Sequence, residues 1–499
     1  MAKLQQIGLP DGRIFVGGEW REGRGPEITS IYPADRSVNM TLRGASRADV
    51  EEAIARAGKA AADPAWRDLL PHARAAILHR ISDGLTRHAE RIAQVQSRDT
   101  GKTLAETRAL AASAAGTFRY YAAVLETEEE ALTPSRGSYL TMSVHEPIGV
   151  VAGITPWNSP IASDAQKLAP ALAAGNAVLM KPASWSPLVS LVMAQVCEEA
   201  GLPAGLLSVL PGRGEEVGDT LVTHPAVGKV SFTGGTEVGR GIAAKAAAKL
   251  MPVSLELGGK SPTIVFEDAD PDLAVAGILF GIFSSTGQSC IAGSRLLVQR
   301  SIYDRFVERL VAATKALRVG HPADPATQVA PLIRDPHCEG VERAVAAALA
   351  EGGEILCGGA RPEGAAYDAG IYFLPTIIAG LPNDAATCQE EIFGPVLHVQ
   401  PFEDEAEAIA LSNSSSYGLA CGIWTRDFNR AWRVGRGVGT GTVWVNTYKQ
   451  FSISTPFGGI KDSGLGREKG RQGLRAWQRQ KSFYLDTSGR PHPWAGLAA

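Results

Sequence analysis

Apolar residues recur at the spacing of an α-helix through residues 48–131. Ala53, Ile54 and Ala57, for example, would share one helical face, and charge-rich stretches such as 128–130 are expected to be solvated. This pattern predicts several consecutive helices in the first part of the chain.

The spacing then changes to that of strands. Residues 138–144 alternate between polar and apolar, and short β-rich runs at 150–154, 177–180 and 230–232 then alternate with helical stretches such as 187–200. Because this is the βαβ rhythm of a parallel sheet with helices on both faces, it predicts an α/β fold.

A second α/β stretch follows Gly259. We expect a strand at 263–266, a helix at 301–319 and a strand at 441–445, and residues 481–485 are typical of one more strand. The tail after Ser488 is expected to be loose.

The composition gives no sign of a nucleic-acid or membrane partner. The 499 residues are 45% hydrophobic, which is enough for two or three domains with sizeable cores. The 49 Lys and Arg nearly match the 52 Asp and Glu, and a net charge of -3 would not attract nucleic acid or an anionic membrane.

Cysteine usage and the start of the chain favour the cytoplasm. The six cysteines have no CxxC spacing, which argues against a zinc site or a disulfide framework and fits a reducing compartment. Residues 1–6 contain no apolar signal region, and no run of about 18 apolar residues occurs. We therefore expect a cytoplasmic protein without a metal ion.

Cys290 is the foremost candidate for a catalytic residue. Small residues surround it within 287–293, so a substrate carbon could approach the sulfur, and Glu256 is followed by two glycines that would leave room for it to activate water. Considered alone, such a cysteine is more often a buried core residue.

Three further segments follow predicted strands. Residues 232–239 place glycines before a helix expected at 238–247, where backbone N–H groups could meet a pyrophosphate, although a capped turn has a similar sequence. Lys181 would lie at the ligand-binding edge of the sheet or be a surface lysine. Asn158 could donate its amide to an oxyanion or be a satisfied turn residue.

These segments match motifs of a known family. The motifs are Thr155-Pro156-Trp157-Asn158, Lys181-Pro182-Ala183-Ser184, Phe232 to Gly239, Glu256-Leu257-Gly258-Gly259-Lys260, Gly287-Gln288-Ser289-Cys290, Glu391-Ile392-Phe393-Gly394-Pro395 and Pro456-Phe457-Gly458-Gly459-Ile460-Lys461. With these motifs in this order, the chain resembles the NAD(P)-dependent aldehyde dehydrogenase superfamily, of the hydrolytic type, over roughly residues 12–488.

The resemblance implies an aldehyde dehydrogenase-like α/β fold. A Rossmann-type cofactor-binding domain would comprise residues 1–132 and 152–257, and an α/β catalytic domain residues 258–470. A small β oligomerisation arm would comprise 133–151 and 471–499. Its strand edges would need a partner, which favours a homodimer or homotetramer.

The resemblance also implies a mechanism. The Cys290 thiolate would attack the aldehyde carbon, while the amide of Asn158 and the N–H of Cys290 hold the oxyanion of the thiohemiacetal. Hydride transfer to the nicotinamide would leave a thioester, which water activated by Glu256 would hydrolyse to the acid. Members that acylate coenzyme A typically lack this glutamate, so Glu256 favours hydrolysis.

Residues of several motifs would bind NAD or NADP. They are Ile154, Thr155, Pro156, Trp157, Lys181, Ala183, Ser184, Gly214, Gly218, Phe232, Thr233, Gly234, Gly235, Val238, Leu257, Glu391 and Phe393. NAD-preferring members commonly have Glu in place of Ser184, and its carboxylate repels a 2′-phosphate. Acceptance of NADP is therefore expected.

The substrate tunnel would be wide and polar. Its expected lining is Ser163, Gln166, Ser284, Ser289, Ile291, Lys449, Phe451 and Phe457. Ser163, Gln166 and Ser284 stand where acetaldehyde-type members are bulky and apolar, so a semialdehyde or a substituted aromatic aldehyde is expected. Lys449 would recognise an acidic aldehyde or be solvated surface.

Two other functions remain to be distinguished. A non-catalytic homologue with a structural or binding role would be expected to lose Cys290, Glu256 or Asn158, and all three are present. A coenzyme-A-acylating dehydrogenase is disfavoured by Glu256.

Overall fold

Two large β-sheets organise the chain, as a computed structural model describing residues 8–496 shows. The strands are β1 (Ile14–Val16), β2 (Glu19–Arg21), β3 (Glu27–Ile31), β4 (Val38–Arg43), β5 (Ala131–Thr133), β6 (Tyr139–Pro147), β7 (Val150–Ile154), β8 (Ala177–Lys181), β9 (Leu207–Val209), β10 (Lys229–Thr233), β11 (Val253–Glu256), β12 (Pro262–Val265), β13 (Arg295–Gln299), β14 (Glu354–Cys357), β15 (Thr376–Ala379), β16 (Val396–Phe402), β17 (Tyr417–Gly418), β18 (Ala420–Trp424), β19 (Thr442–Val445), β20 (Ile460–Lys461), β21 (Gly464–Leu465) and β22 (Gln478–Asp486).

Helices separate most of these strands. They are α1 (Arg47–Ala62), α2 (Pro64–Arg67), α3 (Pro71–Arg87), α4 (Ala89–Thr100), α5 (Leu104–Glu126), α6 (Pro160–Ala173), α7 (Leu188–Glu199), α8 (Asp219–Thr223), α9 (Thr236–Ala247), α10 (Pro271–Phe283), α11 (Tyr303–Lys315), α12 (Asp335–Ala350), α13 (Ala386–Gln389), α14 (Glu405–Asn413), α15 (Phe428–Gly437) and α16 (Gly470–Arg475). Short irregular helices occupy Gly214–Gly218, Ser284–Gly287, Arg300–Ile302 and Pro493–Ala495.

The first sheet has eight strands in the order β2-β1-β9-β8-β7-β10-β11-β21, and its central strands are parallel. The second has seven in the order β14-β15-β16-β13-β12-β18-β19. The predicted α/β fold with consecutive helices before it is thus confirmed. No helix within residues 8–496 combines the length and apolarity needed to cross a membrane.

A third sheet has three strands in the order β22-β6-β5. β22 pairs antiparallel with β6 from Gln478 opposite Pro147 to Asp486 opposite Tyr139. Large apolar side chains on it are exposed, among them Leu132 and Tyr484. This sheet contains β6 and β22, one from each segment of the expected oligomerisation arm, whose role stays a prediction. Residues 150 and 151, which were assigned to that arm, instead begin β7 of the first sheet.

Some elements differ from the sequence-based expectation. The helix expected at 301–319 is only Tyr303–Lys315, because a 3₁₀ turn forms at Arg300–Ile302 and Val319 pairs in a β-bridge with Val329. The four strands within residues 14–43, β1 to β4, were not predicted from the sequence. The expectation about residues 1–6 lies outside the described residues.

Candidate active site

Four parallel strands of the first sheet end at one edge. Ile154, at the end of β7, is in register with Lys181 on β8, and Thr233 at the end of β10 pairs with Glu256 on β11. Because the carboxyl ends of parallel strands meet at one edge, the sequence motifs that follow them come together there.

A cavity of about 730 Å³ opens at this edge. Every residue predicted to bind the cofactor lines it except Ser184, whose hydroxyl donates to the carbonyl of Gly212 (2.9 Å). Further lining residues, which were not among the predicted cofactor-binding residues, are Trp185, Glu215, Asp219, Gly241, Ile242, Lys245, Gly258 and His337.

The N-terminus of helix α9 fits a pyrophosphate. Gly235 is its N-cap, no side chain caps it, and a Cβ at Gly235 would meet no atom within 4 Å. The first N–H groups of an uncapped helix lack partners and carry partial positive charge, so they favour an anion.

An aromatic cluster forms another part of the same cavity. The ring of Trp157 contacts those of Phe393, His337 and Trp185, with centroids 5.2, 5.3 and 5.9 Å apart. His337 donates through Nε2 to the carbonyl of Phe393 (2.8 Å), and burial lowers the pKa of His337. These flat, mostly apolar surfaces can bind planar rings.

Cys290 follows a strained turn. Ser285 and Thr286 have positive φ angles of 58° and 56°, which side-chain-bearing residues rarely adopt. Glu106 holds this turn, since its Oε1 accepts hydrogen bonds from the backbone N–H (2.5 Å) and hydroxyl (3.2 Å) of Ser285. Gly287 also has a positive φ, and a Cβ there would clash with the carbonyl of Gly394.

The Cys290 sulfur differs from the other thiols. It is partly exposed, whereas the other five cysteines are buried. Burial, together with the carboxylates of Glu391 and Glu256, raises the pKa of Cys290 to about 12, and Lys449 opposes this. The resting group is therefore a thiol that needs a base before it can attack.

Glu256 can serve as that base. Its side chain is buried, and its Oε2 has no hydrogen-bond partner within residues 8–496. Burial and the neighbouring carboxylate of Glu468 raise the pKa of Glu256 well above its ordinary value. A carboxylate with a raised pKa is suited to accept and release protons near neutral pH.

Glycines allow the close approach of the chains around Cys290. A Cβ on Gly259 would lie 2.5 Å from the carbonyl oxygen of Cys290, and one on Gly258 would clash with the carboxylate of Glu391. The N–H of Gly259 donates to Glu391 (2.9 Å), and burial raises the pKa of Glu391 to about 7.

Asn158 and the Cys290 backbone present donors. The Asn158 Nδ2 donates to the carbonyl of Gln288 (3.0 Å), which orients the amide and uses one of its two hydrogens. The N–H of Cys290 has no backbone acceptor within residues 8–496. Both groups can therefore donate to an oxygen beside the sulfur.

Cys290 also lines a second cavity, of about 580 Å³. All eight residues of the predicted tunnel line it, together with residues that the motifs did not indicate, among them Lys102, Glu106, Phe280, Glu468 and Lys469. Lys449 is only partly exposed and donates to the hydroxyl of Ser284 (2.8 Å), so it is a wall residue of this cavity.

The two cavities share four lining residues: Asn158, Thr233, Glu256 and Cys290. The candidate nucleophile, base and oxyanion donor thus lie where the two chambers meet. An aldehyde in one chamber and a hydride acceptor in the other would both reach Cys290.

Comparison with known proteins agrees with this geometry. The model of the aldehyde dehydrogenase family matches residues 20–483. The chain belongs to the aldehyde dehydrogenase family. It is therefore an oxidoreductase that acts on the aldehyde group.

Close relatives within the aldehyde dehydrogenases match nearly the whole chain. A betaine aldehyde dehydrogenase of Mesorhizobium japonicum is 41% identical, with 97% of this chain and 99% of the relative covered. One of Bacillus subtilis is 38% identical, with 96% and 99% covered.

A solved structure has the same fold. The betaine aldehyde dehydrogenase of Staphylococcus aureus, crystallised in complex with NAD+, superposes with a TM-score of 0.96 at 36% identity, covering 99% of this chain and 98% of that one. The predicted Rossmann-type and catalytic α/β architecture is thereby confirmed.

Proposed function

We propose that this aldehyde dehydrogenase oxidises an aldehyde to the free carboxylic acid with NAD or NADP, through a thiohemiacetal and a thioester on Cys290. The observation that carries the proposal is the meeting of the two cavities at Cys290, Glu256 and Asn158. A non-catalytic homologue would have no need of a nucleophile, a base and a donor at one point.

The first step is attack by sulfur. Glu256 takes the thiol proton, the Cys290 sulfur bonds to the carbonyl carbon, and the carbonyl electron pair moves to oxygen. The amide of Asn158 and the N–H of Cys290 stabilise that oxyanion, and one such donor contributes about 3 kcal/mol to lowering the barrier. A bound nicotinamide dinucleotide supplies the hydride acceptor that the oxidation to the thioester requires.

The second step is hydrolysis. Glu256 first releases the thiol proton to solvent and then removes a proton from water. The water oxygen bonds to the thioester carbon, and the carbon–sulfur bond breaks to return the Cys290 thiolate. Because Glu256 lines both cavities and has a free Oε2, it can serve both proton transfers. Coenzyme A would be needed only if this base were missing.

The dinucleotide would be held by the 730 Å³ cavity. The α9 N-terminus would meet its pyrophosphate, Glu391 its nicotinamide ribose and Phe393 its ring, consistent with the NAD+ complex of the Staphylococcus aureus relative. We further propose that NADP is accepted, since Ser184 brings no carboxylate to the adenosine ribose and Lys181 brings positive charge.

The substrate would be a larger or polar aldehyde, such as a semialdehyde or a substituted aromatic aldehyde. Ser163, Gln166 and Ser284 give the 580 Å³ cavity polar walls, and Phe451 and Phe457 give it an aromatic pair with centroids 5.4 Å apart. Betaine aldehyde is a second candidate, because the relatives named above carry that name.

The third sheet would join copies of the chain. Its long β6–β22 pairing projects exposed apolar side chains, and an unpaired strand edge favours association. A homodimer or homotetramer is the proposed assembly, with residues 133–151 and 471–499 as its arm.

A panel of aldehydes tests the activity. Aliphatic, aromatic, amino and acidic aldehydes are assayed for NAD(P)H formation with and without coenzyme A, and the product is identified by mass spectrometry. We expect NAD(P)H and free acid without coenzyme A. Dependence on coenzyme A would indicate an acylating enzyme, and no NAD(P)H with any aldehyde would indicate a non-catalytic homologue.

A further inference from the structure

Three lysines line the aldehyde cavity. Lys102 and Lys469 are only 5% and 8% exposed, and Lys449 is partly exposed. Buried lysines are rare unless they are paired with an anion. Their presence beside the reacting sulfur therefore requires an explanation.

Two of these ammonium groups have no hydrogen-bond acceptor. Within the described part of the chain, no hydrogen bond or ion pair is formed by Nζ of Lys102 or Lys469, whereas Lys449 donates to Ser284. Burial lowers the pKa of Lys469 to about 8 and that of Lys449 to about 7. An anion in the cavity would favour the charged form of both.

The carboxylates in the same walls are largely engaged elsewhere. Glu106 accepts hydrogen bonds from Ser285 and caps helix α5 through Thr103, and Glu468 accepts from Lys167 at 2.5 Å. Glu256 remains, and together with Glu468 it favours the charged form of Lys469, opposing the effect of burial on the pKa of Lys469. With Glu468 paired to Lys167, three lysines face Glu106 and Glu256, so the walls neutralise their positive charge only in part.

The ammonium group of Lys469 also lies against the aromatic pair, Phe451 and Phe457. Its Nζ lies 3.8 Å from the ring centroid of Phe451 and 5.3 Å from that of Phe457. Aromatic faces are the surfaces that recognise quaternary ammonium groups. Here the chain's own ammonium group fills that position, so a cationic ligand would meet both occupied space and like charge.

We propose that Lys469, together with Lys449, makes the aldehyde cavity selective for aldehydes that carry a carboxylate and against aldehydes that carry a quaternary ammonium group. The inference rests on the proposed function and narrows its substrate class. It predicts that betaine aldehyde is a poorer substrate, with a lower kcat/KM, than acidic semialdehydes and carboxylated aromatic aldehydes. Lys102 adds positive charge to the same cavity.

A matched set of aldehydes tests the inference. 4-Carboxybenzaldehyde, 4-methylbenzaldehyde and 4-(trimethylammonio)benzaldehyde have one ring and one reacting group and differ in charge. Succinic semialdehyde, butanal and betaine aldehyde form a second, flexible set. We expect kcat/KM to be at least tenfold higher for the anion than for the neutral compound in either set, and lowest for the cation.

Variants assign the effect to the lysines. Lys469→Met and Lys449→Met should each lower the ratio of kcat/KM for the anionic to the neutral aldehyde by about tenfold, mainly through KM, and Lys469→Arg should retain the preference. Lys315→Met removes an exposed lysine of helix α11 and should leave the ratio unchanged. Melting temperatures and turnover of the neutral aldehyde verify that each variant is folded.

The outcomes separate the two proposals. If the neutral aldehyde is oxidised but charge has no effect, or the cation is preferred, the selectivity is overturned while the proposed function stands. A ratio that survives both Met substitutions also overturns it. If no aldehyde of either set yields NAD(P)H, the proposed function itself fails. Competitive inhibition by terephthalate that Lys469→Met weakens about tenfold would support anion binding independently of turnover.

Discussion

Lys167 donates to Glu468 at 2.5 Å in the interior, and this ion pair lies next to the candidate base. Ser231 joins it, receiving a hydrogen bond from Lys167 and donating to Glu468 (2.9 and 3.0 Å). Glu468 raises the pKa of Glu256, and Lys167 opposes it. The protonation of Glu256 therefore depends on a pair that does not itself touch Cys290.

Replacement of Glu468 by Gln should move the acid limb of the pH–rate profile. The base works when deprotonated, so activity rises as pH passes upward through the pKa of Glu256. Loss of the neighbouring negative charge lowers that pKa, and the limb should shift to lower pH by about one unit. Profiles of kcat in wild type and variant measure this.

Glu308→Gln is the matched control, since Glu308 is exposed on helix α11. Its profile should coincide with that of the wild type. An unmoved or upward-shifted limb in the Glu468 variant would contradict the electrostatic argument.

Alkylation should select Cys290. It is the partly exposed thiol, and its pKa of about 12 means that little thiolate exists at neutral pH. Because the thiolate fraction rises tenfold per pH unit below the pKa, the iodoacetamide rate should do so from pH 7 to 9. Peptide mass mapping should find the label on Cys290 in parallel with loss of activity; a rate that levels off near pH 7 would show a thiolate already formed.

Glu256→Gln should stop the reaction at the thioester. The variant cannot activate water for hydrolysis, although sulfur attack in alkaline solution needs no general base. Pre-steady-state assays in alkaline solution should therefore show a burst of NAD(P)H of at most one equivalent per subunit, then very slow turnover. Intact-protein mass spectrometry should detect the acyl adduct on Cys290, and a steady rate like that of the wild type would assign the water-activating role to another group.

Gly259→Ala should damage both activity and stability. The new Cβ would lie 2.5 Å from the carbonyl oxygen of Cys290, so the chain around the sulfur must shift. Overpacking of this kind costs about 1–3 kcal/mol, and the displaced thiol should lower kcat. Thermal unfolding and steady-state kinetics measure the two effects.

Gly58→Ala provides the contrast. Gly58 lies inside helix α1, and a Cβ there would meet nothing within 4 Å. It should gain about 0.5–1 kcal/mol in the free energy of unfolding with kcat unchanged. Equal losses in both variants would mean that the glycine at 259 is not needed for its contact with Cys290.

Ser184→Glu should impose NAD specificity. A carboxylate near the adenosine ribose repels a 2′-phosphate, so kcat/KM with NADP should fall at least tenfold while that with NAD changes little. Ser184→Ala removes the hydrogen bond to Gly212 without adding charge and should keep NADP activity. A wild-type preference for NAD of roughly a hundredfold would already refute the NADP proposal.

The sequence was informative where a motif follows a strand. Cys290, Glu256 and Asn158 lie at a common point because each motif is tied to a strand end or turn, and parallel strands bring such ends to one edge. Strand periodicity and local motifs therefore suffice to predict the fold, and they also single out residues that line both cavities, whose catalytic roles stay a prediction.

Other site residues were invisible in the sequence because packing alone brings them there. Lys469 is a charged residue in a loop, and only the fold of the chain places it on Phe451 and Phe457. Glu106 is part of the capping box of helix α5, which has a local sequence pattern. Its second role, accepting a hydrogen bond from the turn at Ser285, has no such pattern. Such long-range contacts have no local pattern.

The two cavities have only Asn158, Thr233, Glu256 and Cys290 as common wall residues. Substitutions elsewhere in either wall can alter one ligand's affinity without touching the other's. Descendants of this chain could thus acquire a new aldehyde through changes at positions such as Lys469 and retain both their coenzyme and their chemistry. Because the two chambers share so few wall residues, the range of aldehydes can change more easily than the catalytic chemistry can.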